Sequence, residues 1–540
     1  MMRKIFECAL IIALALTLIG VSSAEIISGP GVAVVDVEGG KIQGYISNKI
    51  FTYHGVPYAE SENFMPPEKL KSWDGIKLAL NYGPMSPQDI TPEGDMFPFH
   101  YYWPLWEGRN YAQSNNCQNL NIWTPGLDNK KRPVMVWLHG GGFEAGNSAA
   151  EDVYDGENLS RKGDVVVVSI NHRLNVLGFL DLSAYGDEFK YSGNLGMLDI
   201  ISALEWIRDN IAKFGGDPAN ITLFGQSGGG AKILALMGMP KAEGLFHKAI
   251  EQSGAVDLMG ITFPEHKAAR RVAELTLEKL NIAPERIAEI KNIPYSKLRE
   301  AANRAMAQAV KEGEKIYSWS PVKDGDLIPD DIGTGGFMEH VKDIPLIAGS
   351  TLNEWATVPL LVNMDKNQSD NKNFWDEAKI DSMLKQKYSN KSDLIVSEFL
   401  KAYPNKKKAD ALYVEFWLRD GALRILNAKA AQKGAPVYAY IFTWETPIMG
   451  GYAMAYHCSE IPFVFNNIAL SEKATGGGER AQVLADKMSQ AWIDFARTGK
   501  PGWEAYTPDK GAVMIFDDES SITYNHDKEL LKLLMPGYNY

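Results

Sequence analysis

Gly225-Gln226-Ser227-Gly228-Gly229 follows the apolar run Ile221-Thr222-Leu223-Phe224 and opens into Ala231-Lys232-Ile233-Leu234-Ala235-Leu236. A strand, a sharp turn holding a serine and a helix, in that order, predict a nucleophile elbow. The serine then sits at a strained backbone position, and neighbours without a Cβ let strand and helix pack closely around it. The pattern G-x-S-x-G is loose by itself; the strand-turn-helix setting separates it from a plain glycine-rich turn. A hydroxyl is a poor nucleophile until a base takes its proton and donors stabilise the oxyanion that forms, so the chain must supply three further parts.

The donors come first along the chain. Val134-Met135-Val136-Trp137-Leu138 reads as a buried strand and runs into His139-Gly140-Gly141-Gly142-Phe143. Bare glycine amides approach a substrate oxygen closely. In hydrolases built around an elbow the oxyanion hole combines such a loop with the amide that follows the nucleophile, which here means Gly141, Gly142 and Gly228.

The acid and base follow from chain order, which in elbow hydrolases runs serine, then Asp or Glu, then His. Ile344-Pro345-Leu346-Ile347-Ala348 is a short apolar strand leading through Gly349-Ser350-Thr351-Leu352-Asn353 to Glu354. Glu354 thus falls in a loop at a strand end, where open α/β sheets place their ligands and catalysts. Asp324 and Asp326 compete for the role, but they stand in a Pro-Val-Lys-Asp-Gly-Asp turn with no comparable strand before it, and Asp324 is more simply a turn former. Of the nine histidines only His457 and His526 come after Glu354. His526 lies in the polar stretch Asn525 to Glu529 and is expected to be solvated. His457 follows the strand Val437-Tyr438-Ala439-Tyr440-Ile441-Phe442-Thr443-Trp444 and a glycine-bearing loop, and it precedes Glu460-Ile461-Pro462-Phe463-Val464-Phe465, the setting expected of a catalytic imidazole.

The elements that must hold these groups alternate along the chain. Strands are expected at Val134 to Leu138, Val165 to Ile170, Ile221 to Phe224, Ala249 to Glu251, Leu346 to Ala348 and Val437 to Phe442, with helical stretches between them. That alternation predicts an α/β protein with a mostly parallel sheet covered on both faces. One helix is expected over roughly Leu198 to Phe214, with Leu198, Ile201, Leu204, Ile207 and Ile211 on one stripe and Lys213 and Gly215-Gly216 ending it. The segment 353–433 reads as mostly helical and is taken as a cap region between acid and base. Gly476-Gly477-Gly478 reads as a surface loop before a terminal helix from Glu479 to Arg497.

With these pieces in place the chain resembles the type-B carboxylesterases, the cholinesterase-like branch of the α/β-hydrolase superfamily. The matching stretches are His139-Gly-Gly-Gly-Phe143, Asn171-His-Arg-Leu174 with Leu177-Gly-Phe-Leu180, Asn194-Leu-Gly-Met-Leu-Asp199, Phe214-Gly-Gly-Asp-Pro218, the elbow, Gln252-Ser-Gly254 and the segment around His457. The resemblance implies an α/β-hydrolase fold over residues 25–540 as one large unit, although 540 residues would otherwise suggest several domains. It implies Ser227 as nucleophile, His457 as general base and then acid, Glu354 as the residue orienting the imidazole, and Arg173 paired with Asp199 as scaffold.

Departures from the family pattern are specific. The usual Glu before the serine is Gln226, and the usual Ala after it is Gly228. Losing a carboxylate beside the nucleophile removes one attraction for cationic substrates, which disfavours a choline-ester specialist. Ser114-Asn115-Asn116-Cys117 stands where many relatives have Ser-Glu-Asp-Cys, and Met85-Ser86 replaces the upstream cysteine, so Cys117 has lost its family partner. Asn63 precedes Phe64 where an arginine often stands.

Met1-Met-Arg-Lys4, an apolar stretch from Ala9 to Val21 and Ser22-Ser23-Ala24 read as a secretory signal peptide over 1–24, cleaved after Ala24, and hence as export to the periplasm or beyond. The apolar stretch falls short of the roughly 20 residues a membrane span needs, so no stable membrane insertion is expected once the signal is cleaved. Cys8 precedes the apolar run and is not placed as a lipoprotein cysteine. Without the leader's net +1, the chain's −12 becomes about −13, and an acidic surface argues against nucleic acid or anionic membrane as a partner. Cys117 and Cys458 then remain, and two unbridged thiols are expected rather than a disulfide. With no Cys-x-x-Cys, His-Glu-x-x-His or phosphate-loop pattern, neither metal nor nucleotide cofactor is expected.

The expected activity is hydrolysis of small-molecule carboxylic esters through an acyl-enzyme. Met96 to Trp106 is an aromatic stretch in a part of the chain that relatives fold over the gorge mouth. Tyr101, Tyr102, Trp103 and Trp106 are candidates to line the acyl or alcohol pocket and favour bulky or aromatic esters; the alternative is a loop whose rings pack on the core. Two other readings stand beside the esterase. One is a lipase acting at interfaces; the other is a noncatalytic recognition protein of the same fold, a class that typically lacks part of the triad.

Overall fold

Consecutive rather than alternating apolar residues mark strands covered on both faces, and this chain's central strands carry that pattern. The computed structural model describes residues 25–89, 111–150, 152–254, 263–329, 337–357 and 370–535. Twelve strands form one sheet, in the spatial order Ile26–Ile27, Tyr45–Ser47, Ile50–Pro57, Asn119–Thr124, Val166–Ile170, Arg132–Leu138, Gly216–Gln226, Lys248–Gln252, Leu346–Thr351, Val437–Phe442, Ala512–Phe516 and Ser521–Tyr524. From Val166–Ile170 to Ala512–Phe516 every neighbouring pair is parallel. Both flanks are antiparallel, from Asn119–Thr124 outward on one side and at Ser521–Tyr524 on the other. Val34–Val37, Gly40–Gln43 and Ile76–Leu78 make a separate small sheet.

Every residue of Arg132–Leu138, Val166–Ile170, Leu346–Thr351 and Val437–Phe442 is buried, which requires cover on both faces. On one sheet row Phe224 pairs in register with Trp137 and Ile250. Phe465 packs against this row, with ring centroids 5.0 Å from Trp137 and 5.4 Å from Phe224. That contact ties the segment just after His457 to the middle of the sheet.

The expected strands are present, several of them longer than the apolar runs that signalled them. The helix expected at Leu198 begins at Leu195 and runs to Asn210, then tightens into a 3-10 turn over Ile211–Phe214 that ends at Gly215 with φ +74°. Gly196 lies in its first turn, where a Cβ would fall 2.5 Å from the Phe179 ring and 2.6 Å from the Arg173 carbonyl oxygen, so the glycine serves packing rather than a turn. The helix expected from Glu479 spans Gly478–Thr498, but it is not terminal: the last two strands of the sheet and the helix Lys528–Leu534 follow it. Among the described residues of 353–433, Glu377–Tyr388, Ser392–Ala402 and Trp417–Ala431 are helical.

The ion pair implied by the resemblance is at the centre of the scaffold. Asp199 takes hydrogen bonds from Arg173 Nε at 2.8 Å, Nη2 at 2.7 Å and backbone N–H at 2.9 Å, and from Gln118 Nε2 at 3.1 Å. The guanidinium also donates to the Met65 carbonyl at 2.7 Å. Both charges are fully buried, so each depends on the other for compensation. Nearby, Cys117 faces Ser86 across a side-chain hydrogen bond, the serine standing where a partner cysteine would be, and neither Cys117 nor Cys458 is in a disulfide. Asp199→Ala should destabilise the protein by about 3–5 kcal/mol, because it strands a buried guanidinium; urea unfolding measures it, and a loss below about 1 kcal/mol would contradict this account of the pair.

Candidate active site

Five neighbouring parallel strands end on the same rim, and each delivers one part of the site. In spatial order, Arg132–Leu138 leads into the glycine loop, Gly216–Gln226 into Ser227, Lys248–Gln252 into Ser253, Leu346–Thr351 into Glu354, and Val437–Phe442 through a longer loop into His457. The carboxyl rim of a parallel sheet gathers residues distant in sequence in this way.

Ser227 has φ +57° and ψ −123°, between the end of its strand and the helix Gly228–Gly238. Its N–H donates to the Gln252 carbonyl at 2.7 Å, which prolongs the strand pairing by one residue and holds the turn. The outer glycines of the motif are required by close approach: a Cβ on Gly225 would lie 2.7 Å from the Gly229 carbonyl carbon, and one on Gly229 only 1.9 Å from the Leu138 carbonyl oxygen. Gly228 is equally constrained, since a Cβ there would fall 2.4 Å from Gly142 N and 2.3 Å from Gly142 O. Alanine, which the family pattern has at this position, would force the glycine loop of this chain away from the serine.

The loop offers donors. The Gly141 carbonyl accepts from Glu144 N–H at 3.2 Å and Ala145 N–H at 3.1 Å, and the Gly140 carbonyl accepts from His139 Nδ1–H at 2.8 Å. A trans peptide points its N–H opposite to its C=O, so tethering these two carbonyls aims the Gly141 and Gly142 amides the other way. Among the described residues neither amide donates to a protein acceptor. Gly228 is the first residue of its helix, so its N–H has no partner within the helix either.

His457 and Glu354 are fully buried, and His457 Nδ1 lies 2.5 Å from Glu354 Oε2. The other carboxylate oxygen accepts from Ser253 Oγ and from Thr351 N–H, both at 2.7 Å. Three donors on two oxygens fix the carboxylate and, through it, the ring. The indole of Trp355 stacks on the imidazole, with centroids 4.3 Å apart and planes at 28°. Gln226 Nε2 lies 3.3 Å from His457 Nε2 and 3.4 Å from Nδ1, while Gln226 Oε1 accepts from Cys458 Sγ at 3.1 Å. Among the described residues no hydrogen bond joins Ser227 Oγ to the imidazole. Such bonds are often long without substrate and close when it binds.

Three further carboxyls surround Glu354, Glu251 and Glu460 buried and Glu415 half-buried. Burial, reinforced by the Glu354 charge, pushes each of them up to about 8. Glu251 Oε2 and Glu460 Oε2 have no hydrogen-bond partner among the described residues, as suits neutral acids. Gln252 Nε2 donates to Glu460 Oε1 at 3.3 Å, and Trp492 Nε1 donates to Gln252 Oε1 at 3.2 Å, a chain linking the helix Gly478–Thr498 to the His457 segment.

The alternatives to the acid and base sit elsewhere. Asp324 caps its turn, accepting from the N–H groups of Asp326 at 3.0 Å and Ile328 at 2.9 Å, and Asp326 pairs with Lys190 at the surface. His526 is not solvated, contrary to expectation: it packs edge-on against Tyr403, beside the buried Arg419–Asp527 pair, because the short helix Lys528–Leu534 folds its polar neighbourhood onto the protein. Tyr101, Tyr102, Trp103 and Trp106 lie outside the described residues. Among those described, no cluster of His, Cys, Asp and Glu is placed to hold a metal ion, and no helix is long and apolar enough to cross a membrane. Sequence reasoning passed over Trp355, which adjoins Glu354 in the chain, and Ser253, which lies inside a quoted motif, and it weighed Cys458 only as a thiol, not as a partner of Gln226.

The profile of the carboxylesterase family matches residues 31–532. The para-nitrobenzyl esterase of Bacillus subtilis is 32% identical over 521 residues, covering 93% of this chain and 99% of that protein. The phenmedipham hydrolase of Pseudarthrobacter oxydans is 31% identical over 504 residues, covering 89% and 94%. Among solved structures, an esterase from Clostridium hathewayi described as able to hydrolyse aliphatic aromatic polyesters superposes with a TM-score of 0.87 at 35% identity, over 96% of this chain and all of that one.

The neutral carboxyls make stability depend on pH. A carboxyl held at about 8 in the fold and near 4.5 when unfolded stabilises fully below the lower value, and that contribution is lost as pH rises through the upper one. Glu251→Gln keeps an acceptor for the Gly254 N–H without the titration. Its unfolding free energy should fall less steeply than the native protein's between pH 5 and 8, by about 1.4 kcal/mol per pH unit; equal slopes in urea titrations would contradict the assignment.

Proposed function

The chain belongs to the carboxylesterase family, and from that premise we propose that it is an exported serine carboxylesterase working through Ser227, His457 and Glu354. Ser227 Oγ attacks the ester carbonyl carbon while His457 Nε2 takes its proton, and the carbonyl π electrons move to oxygen. The amides of Gly141, Gly142 and Gly228 receive that oxyanion. Glu354 holds the Nδ1–H and stabilises the imidazolium, as does the indole face of Trp355, since a ring face attracts a cation. The imidazolium then protonates the departing alcohol, leaving an acyl-Ser227. Water, deprotonated by His457, repeats the sequence and releases the acid. No step calls for a cofactor.

The observation that carries this reading is the buried 2.5 Å contact of His457 with Glu354 on the rim that presents Ser227. A histidine held that way is fixed in the tautomer whose Nε2 is an acceptor. The serine bond forms when substrate displaces the Gln226 amide from the ring. The Clostridium esterase and the para-nitrobenzyl esterase are named for esters that contain aromatic groups, which supports aromatic or bulky esters as substrates here, with Tyr101, Tyr102, Trp103 and Trp106 lining the pocket. Gln226, uncharged beside the nucleophile, weighs against choline esters. The leader 1–24 supports export to the periplasm or beyond.

The mature protein should hydrolyse p-nitrophenyl esters of graded acyl length, and Ser227→Ala should lose the activity by at least about 10³-fold while remaining folded. Activity retained in Ser227→Ala would refute the nucleophile. Activity rising abruptly above the solubility limit of a triglyceride would replace the esterase by a lipase. Trp103→Ala with Trp106→Ala should reorder preference among acyl groups without abolishing turnover; unchanged selectivity would remove these residues from the pocket.

A further inference from the structure

Helix Gly228–Gly238 is buried along its whole length, and its one charged residue is Lys232. Lys232 is fully buried and donates one hydrogen bond, from Nζ to the His139 carbonyl at 2.8 Å. Among the described residues no carboxylate pairs with it. The titratable groups facing it are His139 and His172, whose rings stack 5.1 Å apart at 14°. Each ring donates its Nδ1–H to a backbone carbonyl, of Gly140 and Arg173 respectively, and leaves Nε2 without a partner. Burial holds both imidazoles well below their ordinary value, so both are neutral. Three nitrogen bases without a counter-ion therefore stand directly behind the glycine loop. The Phe143 ring face lies 5.6 Å from Nζ, but among the described residues no carboxylate offsets a buried ammonium there, which costs stability; methionine would fill the space without the cost.

We propose that Lys232 is a positioning residue for the oxyanion hole: it pins the first peptide of the loop through the His139 carbonyl and directs a positive charge at the side where the oxyanion develops. This rests on the reading of Ser227 as nucleophile. The His139 carbonyl is the first of three consecutive loop carbonyls held from behind, with Gly140 held by His139 and Gly141 by Glu144 and Ala145. Each tether turns the following amide forward. Gly140 itself lies against the nucleophile, since a Cβ there would sit 3.5 Å from Ser227 Cβ, so the height of the loop above the serine is set at the point Lys232 holds. A cation at the oxygen end of the His139–Gly140 peptide also polarises the Gly140 N–H, the amide just before the two loop donors. Burial draws the lysine down to about 7, so its charge is lost as pH rises through the working range, and oxyanion formation draws the proton back.

Lys232→Met and Lys232→Gln test this on the mature protein with a soluble p-nitrophenyl ester. The methionine variant should lose about 10- to 100-fold in kcat, less than a donor touching the oxyanion, with KM within about twofold. Its Tm at pH 6 to 7 should be unchanged or higher, because the buried charge is gone. Glutamine, which can still donate to the His139 carbonyl, should recover part of kcat. An ionisation in the native kcat profile that lowers activity on deprotonation should be missing from both variants. Unchanged kcat in Lys232→Met would overturn the proposal, as would a loss accompanied by a matching fall in Tm with the pH profile intact. A p-nitrophenyl phosphonate titrant counts competent sites. Stoichiometric reaction of the native protein with a slow variant localises the defect to Lys232, whereas no reaction of the native protein at Ser227 would overturn the nucleophile reading and this proposal with it.

Discussion

The backbone of Ser227, at φ +57° and ψ −123°, is the constraint on which the other parts of the site depend. A residue other than glycine holds such a conformation only when its surroundings over-determine it. Here the surroundings are backbone: the Leu138 carbonyl against Gly229, the Gly229 carbonyl against Gly225, Gly142 against Gly228, and the Gln252 carbonyl on the serine's own N–H. Strand, helix and oxyanion loop thus meet without side chains between them. The consequence is geometric: Ser227 and the amides of Gly141, Gly142 and Gly228 share one rigid junction.

The second organising feature is how charge is rationed around the acid. Three buried carboxyls and the half-buried Glu415 lie together, yet of these only Glu354 has both oxygens engaged by donors among the described residues, from His457, Ser253 and Thr351. Glu251, Glu415 and Glu460 are held as neutral acids by burial and by the charge on Glu354. Gln226 extends the same economy: a carboxylate there would add another negative charge against the imidazole, whereas the amide bridges Cys458 and His457. Behind the glycine loop stand Lys232 and the neutral His139 and His172, and among the described residues no carboxylate pairs with them.

Much of this was legible in the sequence because it lies in local patterns. The elbow, the glycine loop, the order of acid and base and the parallel core strands are each written in a few adjacent residues. Val437–Phe442 matches its apolar run end to end. What escaped is set by contacts between distant segments. The helix begins at Leu195, three residues before the expected Leu198, with Gly196 fitted against Phe179 and the Arg173 carbonyl, and His526 looked solvated but is covered by Tyr403. The last two strands, Ala512–Phe516 and the largely exposed edge strand Ser521–Tyr524, are only five and four residues long, so their pattern was weak. Lys232 was visible as a lysine inside an apolar helix, but its acceptor is 93 residues away in the chain.

The central claim is that Ser227, activated by His457 and Glu354, forms the covalent intermediate. The most direct measurement is titration of the mature protein with a p-nitrophenyl phosphonate, following p-nitrophenol release and locating the adduct by peptide mass spectrometry. The account predicts about one equivalent released per chain, with the phosphonyl group on Ser227 and reaction strongly slowed in His457→Ala. No release from folded protein that still hydrolyses esters, or an adduct at another residue, would contradict it.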